Sequence, residues 1–219
     1  MAEALIQVVE DFYADPDKVR QRALAMPFDV RRTNFWKTHT YHPRGIRERI
    51  EKRFRVRIKQ WEIPSVERQT ENGSFYTSFS EGSRAERVGV HYDDIYSAHY
   101  SDPSEWFILI IYLTPNAPPD AGTSLWQHRK TGLRSRPTRK DAYRLKHSVR
   151  ELDDRLIRDR YIASRWREID RVGNRYNRAV MIPGKSLHSA TRHFGSNFVN
   201  GRIYQVYYFP IEMAAGLKG

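Results

Sequence analysis

Short apolar stretches follow one another along most of the chain and predict a series of β-strands. The strongest is residues 106–113, Trp-Phe-Ile-Leu-Ile-Ile-Tyr-Leu, whose continuous apolar character is typical of a strand buried on both faces. In residues 74–79, Phe75, Thr77 and Phe79 alternate with Ser74, Tyr76 and Ser78, which also indicates a strand. Further strands are predicted at residues 5–9, 88–92, 123–128, 178–182 and 202–209, with Pro210 ending the last of them.

The N-terminal part of the chain predicts two helices. The first is expected to begin at Asp15 and Pro16, because Asp is a good N-cap and Pro fits the first helical position, and to stop before Pro27. The second is predicted over residues 46–54, where large apolar residues recur four apart. Residues 28–45 between them predict a loop with at most one strand.

A basic segment interrupts the strand pattern in the second half of the chain. Residues 127–178 hold 17 Lys and Arg against 7 Asp and Glu, a net charge of +10 out of the total of +12. Apolar residues between about residues 141 and 170 fall near one helical face, which predicts one or two amphipathic helices inserted between strands. These apolar residues are Val149, Leu152, Leu156, Trp166 and Ile169.

The order of these elements shows no regular alternation of strand and helix, so it predicts an α+β, mostly β protein with antiparallel strands. Helices packed on a β-sandwich or barrel are the natural solution. One domain over residues 1–219 is expected, with an N-terminal helical flank at 1–60, a β core at 61–128 and 177–210, and a basic helical insert at 129–176.

Composition narrows the classes of function. The 219 residues include no cysteine, which excludes disulfides, cysteine nucleophiles and zinc–thiolate sites. We expect a cytoplasmic protein without a membrane span, because no signal-peptide pattern occurs and the longest apolar stretch is far short of the roughly 20 residues that cross a bilayer. The net charge of +12 favours partners that carry negative charge.

The candidate chemistry lies in the tripeptide His91-Tyr92-Asp93. Alternate residues of a strand point to the same face, so His91 and Asp93 can reach one metal ion while Tyr92 points away. A third ligand has to come from a neighbouring strand, and His188, directly after the turn at Pro183-Gly184, is the preferred candidate. Two imidazoles and one carboxylate are the ligands of the facial triad that binds Fe(II).

Other residues could supply the same ligands. His193 competes with His188, whereas His99 and Asp94 could replace the first pair, and His128 could point into the same barrel. The remaining histidines are expected at surface or structural positions: His39, His42 and His147.

The order His91-x-Asp93, then His188, then Arg202 fourteen positions later resembles that of the Fe(II)/2-oxoglutarate-dependent dioxygenases, over about residues 72–210. The resemblance implies a double-stranded β-helix core of the jelly-roll, cupin-like type. It also implies Fe(II) held by the three ligands, 2-oxoglutarate and O2 as cosubstrates, and Arg202 as the anchor of the distal carboxylate of 2-oxoglutarate. The planar guanidinium group suits that task because it binds a carboxylate through two parallel hydrogen bonds.

Finer features resemble the prolyl-hydroxylase-like branch of this superfamily. Tyr76 lies where such proteins place a tyrosine that contacts 2-oxoglutarate, and residues 121–126 resemble a Gly-Gly strand in which Ala121 departs from the pattern. Halogenating relatives have a small residue at the position of Asp93, so its carboxylate favours hydroxylation or a related oxidation. Three residues are candidates for substrate contact: His99, Trp126 and Arg129.

The resemblance thus implies an oxygenase that hydroxylates an unactivated C–H bond of a small molecule, an amino acid or a peptidyl side chain. An alternative is a non-catalytic basic module on the same fold that binds nucleic acid or an acidic protein. A cupin-like metal protein that uses no 2-oxoglutarate is a third hypothesis. The basic insert is either a solvated helical face or a lid that attracts an anionic partner. Nucleic acid is disfavoured, because the Asn-x-x-x-x-x-Arg arrangement of nucleic-acid demethylases is missing after His188.

Overall fold

The computed structural model describes residues 6–31, 35–61, 72–80, 89–93 and 106–213. The strands in these ranges are β1 (Gln7–Val9), β2 (Val30–Arg31), β3 (Trp36–Thr40), β4 (Val56–Ile58), β5 (Ser74–Ser78), β6 (Trp106–Tyr112), β7 (Thr123–His128), β8 (Trp166–Val172), β9 (Ala179–Pro183), β10 (His188–Ala190) and β11 (Arg202–Met213). The helices are α1 (Pro16–Ala25), α2 (Ile46–Phe54), α3 (Arg139–Leu145) and α4 (Val149–Asp159), followed by a short 3-10 helix at Ala163–Arg165. Across these ranges, no helix has both the length and the apolar character needed to cross a membrane.

Two antiparallel sheets face each other. The large sheet has the order β1-β9-β6-β11-β5-β3-β2, with β4 added beside the end of β11. The small sheet has the order β10-β7-β8, and residues 89–93 lie beside β10 through a bridge between His91 and His188. The mostly β, antiparallel architecture that the strand pattern predicts is therefore present.

The central strand β6 explains why residues 106–112 are apolar without interruption. On one face of the large sheet, Leu109 and Ile111 pack in a core with α1 and α2. On the other face, Ile108 and Ile110 pack with Leu125 of the small sheet. Because both faces are covered, every residue of β6 is buried, which excludes polar side chains from this strand.

A third apolar cluster joins α4 to the small sheet. Leu152 and Leu156 of α4 pack with Val90 and Leu187, the neighbours of two candidate metal ligands. Side chains alternate along a strand, so Val90 and Leu187 occupy the face opposite to His91 and His188. Helix α4 therefore covers the outer face of the small sheet.

Both N-terminal helices confirm the sequence prediction. The side chain of Asp15 caps α1 by accepting a hydrogen bond from the amide of Lys18 at 3.0 Å, and α2 spans residues 46–54 as expected. Residues 28–45, for which at most one strand was predicted, form both β2 and β3, and β4 was not predicted. The prediction that Pro210 ends the last strand is wrong. Strand β11 continues to Met213 because β4 pairs with its end, and a proline at such a position keeps an extended backbone.

The predicted helical pattern extends too far in the basic segment. Helix α4 ends at Asp159, and residues 166–172 form strand β8, which pairs with β7. Trp166 packs in the outer cluster with α4, whereas Ile169 packs between the two sheets. Two apolar residues three apart fit a helical face, but here they serve the two faces of one strand. Of the strand predicted at residues 88–92, residue 88 lies outside the described residues, and only His91 forms a bridge.

Candidate metal centre

His91, Asp93 and His188 come together between the two sheets. His91 and His188 are directly opposite each other in an antiparallel bridge, and Asp93 follows His91 by two positions, so the three side chains share one face. One ligand atom from each lies within 4.8 Å of the other two. Nε2 of His91 is 3.6 Å from Asp93 Oδ1, and Nε2 of His188 is 3.9 Å from Asp93 Oδ2. This geometry brings the three predicted ligands together.

The second ring nitrogen of each histidine is fixed by the backbone. Nδ1 of His91 lies 2.8 Å from the carbonyl oxygen of Gly89, and Nδ1 of His188 lies 2.8 Å from that of Ser186. A carbonyl only accepts, so Nδ1 of each neutral ring carries the proton and donates it. The lone pair of each Nε2 is then left for a metal ion, which is the arrangement found around metal-binding histidines.

Burial keeps His188 neutral. Desolvation, aided by the neighbouring His91, lowers the pKa of His188 from 6.5 to about 4, although the carboxylate of Asp93 acts in the opposite direction. The exposed side-chain fractions are 6% for His188, 16% for Asp93 and 36% for His91. A neutral imidazole is the form that binds metal, and the graded exposure leaves one side of the site open. The donor set therefore fits a divalent cation such as Fe(II).

Arg202 lies at the start of β11, on the face of the large sheet that is turned towards the small sheet. It is 2% exposed, and it donates hydrogen bonds to the carbonyl oxygens of Ala121 at 3.1 Å and Gly122 at 3.0 Å. Its guanidinium carbon is 4.3 Å from the ring centre of Tyr204. Within the described part of the chain, no carboxylate forms an ion pair with Arg202. A buried positive charge without a carboxylate is costly unless an anion is supplied from outside.

Tyr204 packs against Arg202 on the inner face of the large sheet, and sequence reasoning missed it. Burial raises the pKa of its hydroxyl, Arg202 lowers it, and Asp93 raises it, so the phenol group lies within the electrostatic reach of both. Its ring stacks on that of Tyr76, with centroids 5.3 Å apart. Tyr76, the predicted contact of 2-oxoglutarate, is on the neighbouring strand β5, directly opposite Tyr204. The alternation along β11 could have indicated Tyr204, because residues 202 and 204 share a face.

The rival ligands that the structure describes lie apart from the triad. Nδ1 of His193 is 2.7 Å from Ser78 Oγ, and burial and the nearby Arg202 lower the pKa of His193 to about 4. His128 is fully buried between Thr131 Oγ1 at 2.8 Å and Asp159 Oδ2 at 2.9 Å. The remaining alternatives, Asp94 and His99, lie outside the described residues. The prediction that His99 contacts substrate therefore also falls on a residue outside them.

The two other predicted substrate contacts have different surroundings. Trp126 packs in the outer cluster with α4, and its indole N–H donates to Ser189 Oγ at 2.8 Å. It therefore lies on the face of the small sheet that is turned away from His188, and we do not retain it as a substrate contact. Arg129 follows the end of β7, is exposed, and donates to the carbonyl oxygen of Trp166 at 2.9 Å.

Helix α4 and Arg136 of the basic segment contact Tyr92, the residue between two of the ligands. The hydroxyl of Tyr92, which points away from the metal site, donates to Asp153 Oδ1 of α4 at 2.6 Å. The guanidinium carbon of Arg136 lies 5.9 Å from the ring centre of Tyr92. Both contacts are on the outer face of the small sheet, so α4 braces the His91-x-Asp93 segment and lies away from the ligand face, unlike the lid that was one of the two alternatives for the insert.

Comparison with solved structures assigns the fold. HygX from Streptomyces hygroscopicus, with nickel and 2-oxoglutarate bound, superposes with a TM-score of 0.55 at 11% identity over 94% of this chain and 82% of HygX. HygX with nickel, 2-oxoglutarate and hygromycin B gives a TM-score of 0.53 at 10% identity over the same shares. The fold is that of the Fe(II)/2-oxoglutarate-dependent oxygenases, which confirms the resemblance drawn from the motifs. A family model matches residues 2–202, and the chain belongs to that family, DUF6445, described as a family of unknown function. No curated protein matches the chain by sequence.

Proposed function

We propose that this protein is an Fe(II)/2-oxoglutarate-dependent oxygenase of the hydroxylating type. Its substrate would be a small molecule, an amino acid or a peptidyl side chain. The observation that carries the proposal is the convergence of His91, Asp93 and His188, with both imidazoles oriented by backbone carbonyls so that their Nε2 lone pairs meet the carboxylate. Such a set of two histidines and one carboxylate leaves coordination positions open for a cosubstrate and O2.

Each residue then has a definite task. His91, Asp93 and His188 would hold Fe(II), and the bound iron would supply the oxidising chemistry together with O2 and 2-oxoglutarate. Arg202 would bind the distal carboxylate of 2-oxoglutarate, because it is a buried cation whose neighbours in the described ranges offer carbonyls and aromatic rings. Tyr204, whose ring centre lies 4.3 Å from the guanidinium carbon of Arg202, would position the cosubstrate between Arg202 and the metal.

The surroundings of the site would exclude water from the reaction. Ile108, Ile110, Leu125, Val206 and Tyr208 fill the space between the two sheets with apolar surface. Electrostatic interactions inside such an environment are stronger than in water, which favours binding of a dianionic cosubstrate by one buried arginine.

Several wider expectations belong to the same proposal. The two facing sheets would form the double-stranded β-helix, residues 1–60 a flank that contributes α1, α2 and strands β1 to β4, and residues 129–176 an insert that contributes α3, α4 and β8. The cytoplasmic location of the protein stays a prediction from the sequence. The fold supports an oxygenase, and no structural observation favours the non-catalytic binding module.

The test is an anaerobic titration of the purified protein with Fe(II) and 2-oxoglutarate. Chelation of the metal by the keto acid should produce a weak charge-transfer band in the visible spectrum for the wild type. The band should be lost in His188→Ala and retained in His39→Ala, a matched variant of an exposed histidine. A wild type without the band, or a His188→Ala variant that keeps it, would overturn the proposal.

Two further readings would separate the alternatives. Iron binding without a charge-transfer band, and without an effect of Arg202→Met, would indicate a cupin-like metal protein that uses no 2-oxoglutarate. A protein that binds neither metal nor keto acid, but binds polyanions with a steep salt dependence, would indicate the basic binding module.

A further inference from the structure

Three features of the molecule follow one another along strand β7. The carbonyl oxygens of Ala121 and Gly122, just before the strand, accept the hydrogen bonds of Arg202. Leu125, in its middle, is opposite His188. The strand ends at His128, and the basic residues begin at Arg129. With a rise of about 3.3 Å per residue, the carbonyls that hold Arg202 and the first basic residue lie on opposite sides of Leu125 along the strand, roughly 10 Å and roughly 13 Å away.

The residues beyond the end of β7 form a surface of one charge. We call it the distal basic surface; it consists of residues 129–146. Its single acidic residue, Asp141, is already bonded to Thr138 and Arg144. Among the described residues, none forms an ion pair with Lys130, Arg134, Arg139, Lys140 or Lys146. The exposed basic residues of the surface are Arg129, Lys130, Arg134, Arg139, Lys140, Arg144 and Lys146.

This surface is attached directly to the strand that carries His188. Leu187 donates its backbone amide to the carbonyl oxygen of Arg134 at 2.9 Å, and Arg136 donates to that of Lys185 at 2.9 Å. Residues 135 and 186 form an antiparallel bridge. The capped helix α3 then continues from Thr138, whose side chain and Asp141 form a capping box. The basic side chains are therefore presented by a fixed backbone next to the metal ligands.

The chemistry of the surface favours carboxylates. Four of its seven exposed cations are arginines, whose planar guanidinium groups bind carboxylates through paired hydrogen bonds. Tyr143 of α3 is 90% exposed among them, and tyrosine and arginine are the residues enriched where proteins bind one another.

We infer that the distal basic surface docks an acidic polypeptide segment and thereby holds a peptidyl substrate beside the strand that carries His188. That the docked chain is the substrate rests on the proposed oxygenase function. The docking itself rests on the charge, exposure and backbone attachment of residues 129–146. Because the surface begins at the opposite end of β7 from the carbonyls that hold Arg202, the acidic segment and 2-oxoglutarate would not compete.

The test uses fluorescence anisotropy with a short labelled polyglutamate peptide and, in parallel, an oligothymidylate of equal charge. The surface variant is Lys130→Gln/Arg134→Gln/Lys140→Gln. The matched control is Lys18→Gln/Arg44→Gln/Lys52→Gln, which removes the same charge from exposed residues at α1 and α2, on the far side of the large sheet. We expect the surface variant to bind the peptide about tenfold more weakly and the control variant within about twofold of wild type.

Equal losses in the two variants would show attraction to net charge alone and would overturn the inference. So would absence of peptide binding, or tighter binding of the oligothymidylate with the same dependence on residues 130, 134 and 140. The charge-transfer titration of the surface variant separates the two proposals. A normal Fe(II)/2-oxoglutarate band without peptide binding contradicts only the docking surface, whereas peptide binding without a band contradicts only the oxygenase.

Discussion

His91 and His188 lie directly opposite each other and exchange both backbone hydrogen bonds, at 3.0 and 2.8 Å, with ring centres 4.6 Å apart. Such a pair positions two imidazoles through the backbone alone, before any metal is bound. The two rings nevertheless differ in burial, since His188 is 6% exposed and His91 is 36% exposed. Their substitutions should therefore have different effects on stability.

His91→Ala should weaken metal binding by more than about 100-fold and lower the free energy of unfolding by less than about 0.5 kcal/mol, because it removes a ligand at a partly open position. His188→Ala should weaken metal binding equally but cost on the order of 1–3 kcal/mol, because its ring is packed in the interior. Calorimetric titration with Ni(II) and urea unfolding measure the two quantities. Retained metal affinity in either variant would contradict the assignment of that histidine as a ligand.

Arg202→Met should abolish the rise in melting temperature that 2-oxoglutarate causes in the metal-loaded protein, while the rise caused by the metal alone persists. The reason is that Arg202, held by the carbonyls of Ala121 and Gly122, is the proposed partner of the distal carboxylate. Arg178→Met is the control, since Arg178 is also partly buried but is paired with Glu10 at 2.6 Å. It should lower stability and keep the response to 2-oxoglutarate. The same response in both variants would exclude Arg202 as the anchor.

Tyr92→Phe removes the hydrogen bond to Asp153 that holds the segment between two metal ligands. We expect metal affinity to fall by up to about tenfold, as for other groups that orient ligands without touching the metal. Asp153→Asn should give a smaller loss, because an amide oxygen still accepts the bond. Tyr176→Phe is a matched control, since Tyr176 also donates to an aspartate, Asp17, at 2.6 Å. If both tyrosine variants leave metal binding unchanged, α4 does not brace the site.

His193 should make stability depend on pH. Burial and Arg202 lower its pKa from 6.5 to about 4, so the unfolded chain takes up a proton at a higher pH than the folded chain. The resulting stability is fully present above about pH 6.5 and is lost as the pH falls towards 4. His193→Gln should reduce the decrease in unfolding free energy between pH 7 and pH 5 by about 2 kcal/mol, measured by urea unfolding. The exposed His39→Gln should leave that decrease unchanged, and an unchanged decrease in His193→Gln would show that His193 is protonated normally.

Local sequence signals were sufficient to predict several of the helices and strands. The continuous apolar run of β6 and the Asp15-Pro16 start of α1 each depend on interactions within a few residues or on burial on both faces. The pattern was insufficient for β8, because Trp166 and Ile169 fit a helical period while their strand is defined by its pairing with β7. It was equally insufficient for β4, whose three residues form a strand because β11 lies beside them.

For the candidate site, the sequence by itself determined which side chains can carry the chemistry. The spacing of His91 and Asp93 puts both on one face of an extended chain, and the turn before His188 together with Arg202 indicated the remaining members. Tertiary structure alone decided which residues meet. It placed His188 opposite His91, packed the ring of Tyr204 against Arg202, and put α4 on the sheet face opposite the ligands. Spacing along a chain fixes the direction of neighbouring side chains, whereas contacts between distant strands depend on register and packing, which no short stretch of sequence encodes.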